Sequence, residues 1–95
     1  MKFIIGTKIY DTKTSEEIIK FRRKYPSMLI SGHTFYSTRD TTLYRSKNNI
    51  WFTVCECDYE RLEIYEETDD SVKKLFTDLV KIDLYEKYFE KLEEA

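Results

Sequence analysis

The chain has 95 residues, 41% hydrophobic and 36% charged, which fits one domain over residues 1–95 and excludes both a second core and a disordered polymer. Two Gly and one Pro leave little room for long irregular loops, and no stretch approaches the roughly 20 apolar residues of a membrane-spanning helix. The net charge of −2 conceals a polarity: residues 1–54 hold ten Lys/Arg against four Asp/Glu, and residues 55–95 hold six against fourteen.

Phe3, Ile5 and Ile9 occupy odd positions in KFIIGTKIY and predict a first strand with one apolar face. Its four-residue apolar run is too short for a signal-peptide core, so the chain reads as cytoplasmic. Thr14-Ser15-Glu16-Glu17 has the form of a capping box, and Ile18, Phe21 and Tyr25 follow at helical spacing. An N-terminal helix is expected there, stopped by Pro26. The segment 28–39 reads either as one bent strand or as a loop feeding a strand over 33–38.

TTLYRSK and IWFTVCEC flank Asn48-Asn49, which predicts a hairpin with a two-residue loop. That register puts Leu43, Ile50, Phe52 and Val54 on one face and Tyr44, Trp51, Thr53 and Cys55 on the other. A further strand follows in YERLEIYEE, with Leu62 and Ile64 inward and Glu63 and Tyr65 outward. Thr68 or Asp69 then caps a helix bearing Val72, Leu75, Phe76 and Leu79. After a break at 81–83, Leu84, Tyr85, Tyr88, Phe89 and Leu92 form a second helical stripe. The expected fold is α+β: a small, mostly antiparallel sheet of three to five strands, one N-terminal helix and two C-terminal helices.

Chemistry-bearing motifs are sparse. His33 is the lone histidine, and Cys55 and Cys57 point the same way along one strand edge, which suits free thiols rather than a disulfide. Zinc wants four ligands at set spacings, and these three residues do not supply them. There is no Gly-rich phosphate loop and no nucleophile motif, so no catalytic residue, metal, cofactor or small-molecule substrate is expected. The reading is a binding protein, not an enzyme.

Three surfaces remain as candidates. The acidic run Glu56, Asp58, Glu60, Glu63, Glu66, Glu67, Asp69 and Asp70 would place like charges about 7 Å apart along a strand, suited to a protein partner's Lys/Arg groove. Tyr44 and Trp51 either anchor that partner or, with a helix laid over them, form part of the core. The basic residues Arg22, Arg23, Lys24 and Arg45 give the alternative of direct nucleic-acid binding, against a sequence pI of about 5.5. Oppositely charged halves also allow self-association.

KIYDTKTSEEI at 8–18, TLYRSKNNIWF at 42–52 and TDDSVKKLF…YEKYF at 68–89 cover about half the chain. In these segments the chain resembles a family of short proteins from phages, plasmids and conjugative elements of Firmicutes. Small acidic proteins of that setting include anti-CRISPR inhibitors. The resemblance therefore implies a stoichiometric inhibitor acting in the host cell, with a Cas effector nuclease as its partner. The chain departs from the family pattern after the hairpin, where CECDYERLE replaces a Gly-rich stretch.

Overall fold

A computed structural model describes residues 1–28, 30–57 and 61–95. The class is α+β. In chain order the elements are β1 (Lys2–Ile5), β2 (Lys8–Asp11), β3 (Glu16–Met28), β4 (Thr34–Arg45), β5 (Trp51–Glu56), β6 (Leu62–Glu66), α1 (Asp69–Asp78) and α2 (Ile82–Tyr88). β1 and β2 form a two-stranded hairpin, while β3-β4-β5-β6 is an antiparallel meander.

The first apolar run is thus a hairpin rather than a single strand. Ile5 pairs with Lys8 across Gly6-Thr7, and Gly6 takes a φ of +61°, as the first position of a type II′ turn requires. The turn shifts the parity of the second strand. Tyr10 therefore faces Phe3 and is buried, whereas Ile9 pairs with Ile4 on the outer side.

The expected N-terminal helix is instead the long strand β3. The hydroxyls that would cap a helix are used elsewhere: Thr14 Oγ1 and Ser15 Oγ both donate to the Asp11 carbonyl, at 3.4 and 2.7 Å. Ile18 and Ile19 are β-branched and suit a pleated surface, and β4 supplies a partner along the whole length. A bulge between Glu17 and Ile19 leaves Ile18 as the extra residue, and both isoleucines pack toward the helices.

The β4–β5 hairpin also differs from expectation. Its loop is residues 47–49: the Ser46 amide donates to Ile50, the Asn49 amide donates to Ser46, and Asn49 sits at φ +63°. An odd loop length moves every side chain of one strand to the other face. Leu43 therefore shares a face with Trp51, Thr53 and Cys55, and Tyr44 shares one with Phe52 and Val54.

Both faces of β5 are covered, and Trp51 through Cys55 are all buried. On one side α1 and α2 bring Val72, Phe76, Leu84 and Tyr88 onto Leu43 and Trp51. On the other, β1 and β2 bring Phe3, Ile5 and Tyr10 onto Phe52, Val54, Leu62 and Ile64. Thr68 is the N-cap of α1, exchanging hydrogen bonds with Ser71, and no helix among the described residues is long and apolar enough to cross a membrane.

α1 ends in a Schellman arrangement: the Lys81 amide donates to Phe76 and the Val80 amide to Thr77, at 2.8 and 3.2 Å. The residue forced left-handed is Val80, with φ +56° and 72% exposure. A β-branched residue there is strained and loses almost no packing when replaced. Val80→Gly should raise the unfolding free energy by about 1 kcal/mol, read as a higher urea midpoint at unchanged slope.

Candidate functional site

β4 is twelve residues long and β5 six, and their pairing stops at Thr41–Cys55. Beyond that point β3 and β4 continue as a two-stranded ribbon, with pairs running from Arg22–Asp40 to Met28–Thr34. From residue 19 to residue 40 the ribbon and its base hold Lys20, Arg22, Arg23, Lys24 and Arg39 against one carboxylate, Asp40. Strand alternation divides these cations between two faces.

The inner face is closed by contacts between opposite edges of the sheet. Arg23 on β3 pairs with Glu67, just beyond β6, at 2.6 Å, and both side chains are largely buried. Tyr25 stacks on Tyr65 of β6 with centroids 6.0 Å apart, and the Arg39 guanidinium lies 5.7 Å from the Tyr25 ring. Side chains from β3 reach β6 across two intervening strands only if the sheet curls, so this face is concave. Thr41, Thr53 and Cys55 are buried beneath, and Thr53 Oγ1 has no hydrogen-bond partner among the described residues.

Tyr65 donates its hydroxyl to Glu63, and that bond holds the Glu63 carboxyl below its ordinary range, with Cys57, Arg39 and Arg61 adding to the effect. Burial pushes the Cys57 thiol up, and its bond to Glu63 pushes it further, so it stays protonated near neutrality and is a poor nucleophile. Cys55 and Cys57 are free.

The outer face carries Lys20, Arg22 and Lys24 at alternate positions, about 7 Å apart. Arg22 Nη1 donates to Asp40 at 2.7 Å and its Nη2 to Thr38 Oγ1 at 2.9 Å, an exposed set that fixes the guanidinium beside Lys24. Lys24 meets no carboxylate among the described residues. Tyr36 lies opposite Pro26 on this face and is 69% exposed.

The acidic run is not gathered on one surface. Glu56 ends β5 and is exposed, and Asp58 and Glu60 lie outside the described residues. Glu63 and Glu67 are on the concave face in the bonds above. Glu66 is on the opposite face, where it accepts the Tyr10 hydroxyl at 2.5 Å. Asp69 accepts the Trp51 indole N–H at 3.0 Å, and Asp70 is exposed in the first turn of α1.

The aromatic candidates belong to the core. Trp51 is 2% exposed under the helices, and Tyr44 stacks on Phe52 with centroids 5.2 Å apart. Arg45 is likewise a packing residue, its guanidinium 4.4 Å from the Trp51 ring and 5.2 Å from Tyr88. Of the basic candidates, Arg22 and Lys24 share the outer face, while Arg23 is spent on Glu67. Lys20 was not singled out by the sequence reading, and the period-two row Lys20, Arg22, Lys24 is the signal that would have found it.

His33 is exposed ahead of β4, and no group of three or more potential metal ligands is found among the described residues. Comparison with known proteins finds no matching family model, curated protein or solved structure.

Burial, then the bond to Glu66, raises the Tyr10 hydroxyl from 10.0 to about 12. The folded state thus holds this proton more tightly than the unfolded chain. The stability it contributes is complete below pH 10 and is lost as the pH rises from about 10 to about 12. Tyr10→Phe should flatten part of the alkaline fall in stability, measured by urea unfolding across that range. Tyr25, Tyr44 and Tyr65, also raised, keep the remainder.

Proposed function

We propose that the protein is a nucleic-acid-binding accessory protein that lays the outer face of its β3–β4 ribbon along a phosphate backbone. The observation that carries this reading is the row Lys20, Arg22 and Lys24 beside exposed Tyr36, on a ribbon that projects beyond the rest of the sheet. Cations at alternate strand positions repeat at a distance close to that between successive phosphates. Tyr36 adds a ring on which an unpaired base can stack. The overall acidity limits affinity, and neutralisation of phosphates by the three cations makes binding dependent on salt.

Docking of the run Glu56–Asp70 on a cationic protein such as a Cas effector nuclease has weaker support. Glu63, Glu66, Glu67 and Asp69 are each bonded within the chain, so presenting them to a partner would mean breaking contacts that hold the fold.

Gel shifts with single- and double-stranded DNA and RNA over a salt series test the proposal. Wild type should bind, and the triple variant K20A/R22A/K24A should reduce the slope of log affinity against log salt by about 2 for single strands. Tyr36→Ala should weaken single-strand binding by about 1–3 kcal/mol and leave that slope unchanged. No salt-dependent shift for wild type, or an unchanged slope in a triple variant with native circular dichroism, overturns the reading.

A further inference from the structure

A groove of about 440 Å³ separates β3 from α1. Its strand side is made of residues 21–24, four in succession. Side chains of a strand alternate between faces, so four consecutive residues can line one groove only along the backbone edge. β3 is an outer strand of its sheet, and no backbone group outside β4 bonds to it among the described residues. Every second N–H and C=O of this stretch is therefore directed into the groove without a protein partner. The helix side is Ser71, Lys74, Leu75 and Asp78, one face of α1 by their spacing.

The groove is selective by charge and shape. Phe21 and Leu75, both half-buried against the core, provide its apolar surface. Among the lining cations, Arg22, Arg23 and Lys74 pair with Asp40, Glu67 and Asp78, at 2.7, 2.6 and 3.0 Å, and Lys24 has no carboxylate partner among the described residues. An incoming chain meets an open strand edge, an apolar floor and the positive charge of Lys24.

We propose that this groove takes an extended acidic segment of a partner protein, which adds to β3 as a further antiparallel or parallel strand. Backbone bonds to the β3 edge supply affinity, alternate carboxylates meet Arg22 and Lys24 on the outer side of the added strand, and the residues between them face Phe21 and Leu75. Arg22 and Lys24 border both the groove and the nucleic-acid face, but the strand addition also needs the β3 backbone edge and the α1 side of the groove, so one proposal can fail while the other stands.

The probe is a short synthetic peptide alternating Glu and Val, followed by fluorescence polarisation and by amide chemical shifts of the full chain. Saturable binding is expected, with shifts concentrated at residues 21–24 and 71–78. The variant K24E should weaken binding about tenfold or more, and the same peptide N-methylated at alternate residues should not bind, a control that leaves the protein untouched. Absence of saturable binding overturns the proposal. So does equal binding of a Lys/Val peptide, or equal binding of the N-methylated peptide. Displacement of the peptide by an oligonucleotide that itself shifts the amides of residues 71–78 assigns the groove to nucleic acid instead. Concentration-dependent shifts at the same residues without peptide assign it to a second copy of the chain. Either result overturns it as well.

Discussion

Trp51 lies under the Arg45 guanidinium and against the rings of Phe76, Tyr88 and Phe89, while its one polar atom donates to Asp69 at the first residue of α1. This set of contacts joins the sheet to both helices. The indole N–H could not be buried alone without a penalty of about 1–3 kcal/mol, and the carboxylate that relieves it also sits favourably in the first turn of a helix. One residue thereby fixes where α1 begins relative to β5. The opposite face of β5 is fixed by Phe52, on which Tyr10 and Tyr44 pack at about 5 Å between centroids. A strand enclosed on both faces must be short enough for the elements that cover it. β5 is six residues long, and the covering hairpin and helices are similarly short.

β3 and β4 escape that limit, and the proposed binding surface follows from their excess length. Past Thr41 no third strand among the described residues continues the sheet, so a two-stranded ribbon must find its own stabilisation. It does so by curling. Arg23 and Tyr25 fold back over the concave face to meet Glu67 and Tyr65 from the far edge. The exposed cations are those that alternation sends to the other face. Buried and exposed charge on this strand are thus separated by parity.

The sequence made much of the fold legible. The α+β class, the β4–β5 hairpin, the inward placing of Leu62 and Ile64 and the Thr68 cap of α1 all follow from pattern and turn chemistry. Two features misled in specific ways. Positions 18, 21 and 25 satisfy a helical period, but a strand with a bulge at Ile18 places Ile18, Ile19, Phe21 and Tyr25 on one face equally well. Local pattern cannot separate these, because a bulge shifts phase by one residue as a helix does within a turn. In the hairpin, one extra loop residue exchanged the faces of Leu43 and Tyr44, and Asn49 was the sign of it, since Asn tolerates a positive φ at the last loop position.

The acidic half misled for a different reason. A linear charge count treats every carboxylate as free to act outward, whereas a fold consumes charges as internal partners wherever a cation or a hydroxyl arrives from another element. Glu67 finds Arg23 from 44 residues away, Glu66 finds Tyr10 from 56, and Asp69 finds Trp51 from 18. None of these pairings has a local signature. Lys20, Arg22 and Lys24 stay outward because, among the described residues, the carboxylates that pair with this row are Glu17 and Asp40 of the same sheet, both in exposed pairs. The exposed charge in this molecule is therefore the charge whose face lacks a covering layer. That is a property of strand length and register, and it becomes visible only when the ends of β4 and β5 are compared.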